Sequence, residues 1–167
     1  MFLHRKRAKM KTGNMAKDSN LSPGLTGVAG EYFVAAELSR LGYIATLTLK
    51  NTRGIDILAA NLQATKSTSI QVKTNQGRKK EWTLHQKAEA LTTDNLFYVF
   101  VNLKGLNELP DFHIVPSKAV AEHCKTTHQK WLATPGRKGQ AHNDSTMRKY
   151  ADHDGQYLGR WDLLNLD

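Results

Sequence analysis

The 167-residue chain predicts an α/β (α+β) sandwich, a mixed β-sheet flanked by helices. Three observations lead there. A capped, apolar-patterned helix opens the compact part of the chain. Several short β-prone runs follow it closely. A strongly apolar run then leads through a short strand into a late helix.

Taken in order, Ser22-Pro23-Gly24 starts the first helix, with Ser22 as cap and Pro23 in the first turn. The apolar pattern carries it from about Leu25 to Leu41, and Gly42 ends it. Tyr43 to Leu49 is β-prone, and Asn51-Thr52-Arg53-Gly54 is a turn. Ile55 to Ala60 and Ser69 to Thr74 read as two strands of a hairpin. Asn75 to Lys80 is a basic polar loop. Glu81 to Leu91 is read as a helix, with Trp82-Thr83-Leu84 as a competing strand extension. Leu96 to Val101 is the most apolar strand, hence central. Phe112 to Val115 is a further strand, and Pro116-Ser117-Lys118 starts a helix through about Lys130. From Thr134 to Gly159 the chain is polar and glycine-rich, with a short helix expected near Met147–Tyr150. Trp161-Asp162-Leu163-Leu164 is expected to pack the tail onto the body.

The net charge of +9 is unevenly spread. Residues 1–17 hold six basic side chains (Arg5, Lys6, Arg7, Lys9, Lys11, Lys17) and no acid, leaving only +3 for the remainder. This arm is either a disordered tail, with Met10 and Met15 as alternative starts, or a flexible arm that tracks phosphates. Basicity alone therefore says little about the fold's partner. The single Cys124 excludes an internal disulfide framework and a cysteine zinc site. No apolar run is long enough to span a bilayer, and the N-terminus lacks a secretory apolar stretch, so a cytoplasmic location is expected. The seven histidines show no zinc spacing: His123 and His128 are five apart, and His142 stands alone. Gly136 and Gly139 form no phosphate-cradling loop of known spacing. Cys124 and His123 are helix neighbours and do not face each other.

Four polar side chains in apolar settings carry the chemistry. Glu31 falls on a helical face with Val28, Val34, Ala35 and Leu38, where a lone carboxylate is costly to bury. Asp56 shares a strand face with Leu58 and Ala60, and aspartate is disfavoured inside strands. Gln71 and Lys73 are two apart and share a face, while Ile70 and Val72 point the other way. Lysine so placed can orient water or offset charge developing on a phosphate. Three of them have a plainer role as well: a helix-start glutamate, a turn aspartate after Gly54, an edge-strand lysine.

Together, Glu31, Asp56 and Gln71-Val72-Lys73 resemble the PD-(D/E)XK, restriction-endonuclease-like nuclease superfamily over roughly Leu25 to Val101. Their order is similar to that of archaeal Holliday-junction resolvases and type IV restriction enzymes. Two departures stand out. Ile55 precedes Asp56 where the motif name has proline, and Gln71 replaces the second acid, as in the glutamine variant. The resemblance implies a restriction-endonuclease-like mixed β-sheet flanked by helices, and a metal-dependent DNA endonuclease of restriction, repair or recombination type. It implies magnesium (or manganese) held by Glu31, Asp56, Gln71 and the Val72 carbonyl, with Lys73 handling the attacking water. Asn51, Arg53, Asn75, Gln76, Arg78, Lys79 and Lys80 would contact DNA, unless they are only a solvated loop. Trp82 either stacks on a base or belongs to the core. Arg148 and Lys149 would extend the basic surface.

The implied organisation is a flexible basic arm over 1–20 and a single nuclease-like domain over 21–167, polar from about 134. A homodimer is suggested by symmetric duplex substrates, with Leu96–Val101 and Trp161-Leu163-Leu164 as candidate surfaces. The competing reading is a catalytically degenerate member of the fold, acting as a DNA-binding or protein-interaction module.

Overall fold

The computed structural model describes residues 21–49, 54–77 and 79–167. Helix α1 (Pro23–Arg40) starts as the sequence predicts: the Ser22 side chain accepts from Leu25 N, and Pro23 fills the first turn. Strands β1 (Ile44–Leu47), β2 (Ile57–Ala60) and β3 (Ser67–Gln76) follow. Next come β4 (Glu81–His85), a 3₁₀ turn over Gln86–Glu89, β5 (Leu96–Leu103) and β6 (Asp111–Pro116). Helix α2 (Ser117–Ala133), β7 (Met147–Ala151) and a 3₁₀ turn over Trp161–Leu164 complete the described chain.

The main sheet has five strands in the order β1-β2-β3-β5-β6. Every pairing is antiparallel except β3 with β5, which is parallel. A parallel pair cannot be joined by a tight turn, so the chain must cross over between β3 and β5. The crossover is β4 and its 3₁₀ turn, and β4 pairs with β7 in a second, two-stranded sheet.

Both faces of β5 are covered, which is why its whole length is apolar and buried. Phe97, Val99, Val101 and Leu103 face one cluster with Val34 and Leu38 of α1, Ile70 and Val72 of β3, and the tail residues Leu164 and Leu166. Tyr98 and Phe100 face the other, with Trp82 and Leu84 of β4, Val120 and Cys124 of α2, and Tyr150 of β7. The Trp82 indole also donates to Val101 O at 3.0 Å, so this residue belongs to the core.

Three expectations are corrected. The helix expected over Glu81–Leu91 is strand β4 and a 3₁₀ turn, because Trp82 and Leu84 alternate inward against β5. The helix expected near Met147–Tyr150 is strand β7, whose Arg148 and Tyr150 are buried in the same alternation. The strand Leu96–Val101 offers no dimer surface, since all of it is buried. In the tail, Leu164 lies in the core, and Trp161 and Leu163 pack against it while half-buried. The basic arm lies outside the described residues. Among the described residues, no helix is long and apolar enough to cross a membrane.

Helix α1 meets β3 at one close contact. A Cβ on Gly30 would lie 2.9 Å from the Thr74 Cβ, so only glycine lets the helix approach this far. Gln76 completes the seam: its Oε1 accepts from Leu21 N at 2.8 Å, and its Nε2 donates to Leu21 O and to Thr26 Oγ1. Gly30→Ala is expected to cost about 1–3 kcal/mol, read from the urea midpoint, because helix or strand must shift. An unchanged midpoint would refute the close approach.

Burial pushes the Cys124 thiol up to about 11 and the Tyr98 phenol up to about 12. Folding therefore favours their neutral forms. The stability this contributes is complete below the ordinary thiol value of 9.0 and is lost as pH rises through the raised values. The urea midpoint should fall between pH 8 and pH 11, and fall less in a Tyr98→Phe, Cys124→Ala double variant. Parallel declines would place the alkaline sensitivity elsewhere.

Candidate active site

Strand β2 pairs with β3 only as far as Ile57 opposite Ile70, whereas β3 runs on to Gln76. Asp56 stands at this parting. Its N–H donates to Ile70 O at 2.8 Å, and its C=O accepts from Thr48 N at 3.0 Å, so its backbone bridges both neighbouring strands. The Thr48 hydroxyl fixes the approach further by donating to Ile55 O at 2.6 Å. Gly54 turns the chain into this position with φ +71°, and a Cβ there would meet Leu91 at 3.1 Å. The sequence Gly54-Ile55-Asp56 is thus a turn that delivers a carboxylate to the end of a ladder.

Where the ladder stops, the carboxylate takes over. Asp56 Oδ2 accepts from Val72 N at 2.7 Å, the place another backbone carbonyl would hold if β2 continued. The N–H and C=O of one strand residue point to the same side, so the Val72 carbonyl is directed to the same edge. Ile57 and Ala59 lie in the α1-side core, which leaves Asp56 on the other face. Gln71 and Lys73 share that face, because Ile70 and Val72 also belong to the α1-side core. Gln71 stands opposite Tyr98 in the parallel register, and Lys73 opposite Phe100. Asp56, Gln71 and Lys73 are each half-buried.

Glu31 belongs to the other layer. It follows Gly30 on α1, is half-buried, and lies on the flank of the stripe formed by Thr26, Gly30, Val34 and Leu38. The structure therefore gathers Asp56, Gln71, Val72 and Lys73 at one strand junction, with Glu31 carried by the helix packed across β3. Tyr98 was not foreseen as part of this neighbourhood. The parallel register sets it opposite Gln71, and its phenol is raised first by burial, with the charges of Cys124 and Asp56 as lesser causes. Its only signal in sequence was a polar tip inside the most apolar strand.

The expected DNA-contacting residues divide. Asn51, Arg53 and Arg78 lie outside the described residues. Asn75 spends its Nδ2 on Lys79 O and Glu81 O, at 2.7 and 2.8 Å, and so shapes the β3–β4 turn. Gln76 clamps the start of α1. Lys79 is exposed, and Lys80 Nζ reaches His153 O at 3.2 Å.

Among the described residues, no three His, Cys, Asp or Glu side chains cluster to hold a metal ion. The donors at the junction are of another kind: one carboxylate, one amide oxygen and one backbone carbonyl. All are hard oxygen ligands, which fits magnesium or manganese, although Gln71 brings no charge.

No protein-family model and no curated protein matches the chain. Among solved structures, a bacterial homing endonuclease, I-Ssp6803I, is similar with a TM-score of 0.50 and 15% identity, covering 86% of this chain and 92% of that one. The chain has a restriction-endonuclease-like fold. Hjc of Archaeoglobus fulgidus, a Holliday junction resolvase, is also matched, with a TM-score of 0.43 and 14% identity over 75% of this chain and 84% of that one.

The Asp56–Val72 bond separates structural from chemical roles. Asp56→Ala leaves a backbone donor without its acceptor and should cost about 1–2 kcal/mol in urea unfolding. Asp56→Asn retains an acceptor oxygen and should stay closer to wild type. Equal losses in both variants would mean that the carboxylate charge, not the hydrogen bond, stabilises the junction.

Proposed function

We propose that this chain is a metal-dependent DNA endonuclease that hydrolyses phosphodiester bonds. The observation that supports it best is the placement of Asp56. A carboxylate is held at the parting of two strands, on the same face as an amide and a lysine, and next to an outward-directed carbonyl. A fold of the restriction-endonuclease-like kind is consistent with this reading.

Asp56, Gln71 and the Val72 carbonyl would hold magnesium or manganese, with Glu31 adding negative charge from α1. Such an ion, when bound, supplies positive charge against the scissile phosphate and makes nearby water more acidic. The protein's own groups do the rest. The Val72 N–H fixes the Asp56 carboxylate in one orientation before any ligand arrives. Lys73, set two residues beyond Gln71 on the same face, would orient the attacking water and offset charge growing on the phosphate. The burial of Tyr98 and Phe100 opposite these residues lowers the local dielectric and strengthens both effects. Lys79 and Lys80, just past β3, would contact the phosphate backbone.

Gln71 favours a second reading, in which the fold binds DNA without cleaving it. An amide in place of an acid removes one negative charge, which weakens cation binding. Gln71→Glu separates the two.

The test is cleavage of supercoiled plasmid and of branched DNA with magnesium or manganese. Wild type should cut both or one. Asp56→Asn and Lys73→Ala should each lower the rate by about 10²-fold or more, while circular dichroism shows them folded. Gln71→Glu should tighten manganese binding in calorimetry. Salt-sensitive DNA binding with no cleavage by wild type or Gln71→Glu would select the binding module.

A further inference from the structure

A second feature lies away from the Asp56 junction. Between the last turns of α2 and strand β7 is a cleft of about 280 Å³, lined by Thr127, His128, Trp131, Met147, Arg148 and Lys149, among others. That volume approaches the smallest ligand pockets, roughly 300 Å³, and suits a nucleoside-sized group rather than a duplex.

We propose that this cleft is a stacking pocket for one unpaired base of a nucleic-acid strand. The proposal deepens the nuclease reading, and rests on it for the substrate class, by adding a preference for unpaired nucleotides.

The walls argue for a flat, anionic ligand. Trp131 is 41% exposed, although the other two tryptophans of the chain are buried or partly buried in the core. Its indole is backed by His142, stacked at 4.1 Å with 20° between the planes, from a residue that does not line the cleft. His128 stacks on it at 5.5 Å and is itself held by Asp144 at 2.7 Å. The indole is thus fixed in place before any ligand binds, which reduces the entropy lost on stacking. Arg148 lines the cleft while only 7% exposed, tied to Glu89 and donating to Ser145 O and Met147 O. Arg148 is thereby a fixed part of the cleft wall, and the indole is the stacking partner for a base.

Charge points the same way. Residues 125–149 carry six basic side chains (Lys125, Lys130, Arg137, Lys138, Arg148, Lys149) and one acid, Asp144. Lys149 Nζ is paired with Glu81 at 2.7 Å but is largely exposed, and such a surface pair is weak enough to yield to a phosphate. Met147 is the one aliphatic wall, 56% exposed, too little apolar surface for a helical peptide's hydrophobic face. Bases inside a duplex stack on each other and present only edges, so the exposed part of the indole can be stacked on only by an unpaired base.

The experiment is fluorescence anisotropy in EDTA, so that no cleavage occurs, with three probes of equal length: oligothymidylate, a duplex, and a duplex with one bulged thymidine. Oligothymidylate and the bulged duplex should bind more tightly than the plain duplex. Trp131→Ala should weaken binding of these two by about tenfold or more and the plain duplex far less. Trp131→Phe should recover most of the loss, which a folding defect would not. Raising salt should weaken all probes while leaving the Trp131 ratio unchanged. A Trp131→Ala protein that binds all three probes as wild type does would overturn the proposal, as would equal loss on all three. The nuclease reading fails separately: wild type that never cleaves with magnesium or manganese, yet binds unpaired bases through Trp131, keeps the cleft and loses the enzyme.

Discussion

The hydrogen bond from Val72 N to Asp56 Oδ2 lies where a β-ladder ends too early for one of its strands. Strand β3 needs its backbone groups satisfied beyond Ile70, but β2 turns away at Ile57. Leaving that N–H unpaired in a half-buried place would cost about 1–3 kcal/mol. A carboxylate answers the need, and only a short side chain delivered by a tight turn reaches it. Gly54, with its positive φ, makes that turn possible, and Thr48 ties the turn to β1. One constraint of backbone chemistry thereby holds an acid at the centre of the sheet. The alternation of β3 then decides its company: Gln71 and Lys73 to one side, Val72 in the core.

The parallel pairing of β3 with β5 has consequences of equal reach. It requires a crossover, and the crossover cannot be left as loose chain over an apolar face. Here β4 fills that role, burying Trp82 and Leu84 against Tyr98 and Phe100, while β7 returns from the C-terminal region to pair with it. The late polar segment is therefore part of the sandwich. A ring series through Trp82, Phe100, Tyr98 and Tyr150 marks the join, with Phe100 and Tyr150 stacked at 4.4 Å.

Periodicity made the α1-side layer readable. The cap at Ser22, the strand alternation around Asp56 and Gln71, and the unbroken apolar run of β5 all follow from local rules, and the structure agrees with them. The opposite layer was harder for a physical reason. Glu81–His85 and Met147–Ala151 are only five residues each, too short for a period to declare itself, and their partner strands lie more than sixty residues apart in sequence. Helix and strand are equally consistent with such stretches until the partner is known. At the site, side-chain type identified Asp56, Gln71 and Lys73, but their mutual placement depends on where β2 stops pairing, which is a tertiary fact. Tyr98 stayed hidden because its strand reads as core. Asn75 and Gln76 looked like surface amides because nothing local shows that one shapes a turn and the other clamps a helix.

The β4–β7 layer borders both the Asp56 junction and the Trp131 cleft. A two-stranded ribbon is marginal by itself, so its hold on the sheet must come from contacts outside it. Some are apolar, through Trp82, Leu84 and Tyr150. Others are buried and polar: His113 Nδ1 meets Asp152 Oδ2 at 2.6 Å, and that carboxylate also accepts from Gln156 N and Tyr157 N. Such groups are costly to bury and costly to break, so they fix one arrangement more than they add stability. His113 Nε2, Asn75 Oδ1 and Asn102 Oδ1 are buried without protein partners among the described residues. Gln71 and Lys73 face this layer, and Trp131 and Lys149 stand at its outer margin. Local opening of the β4–β7 ribbon would then alter both the Asp56 junction and the stacking cleft while α1, β2 and the tail stay packed. Elements that can open locally are where proteins commonly place the parts that must adapt to a ligand.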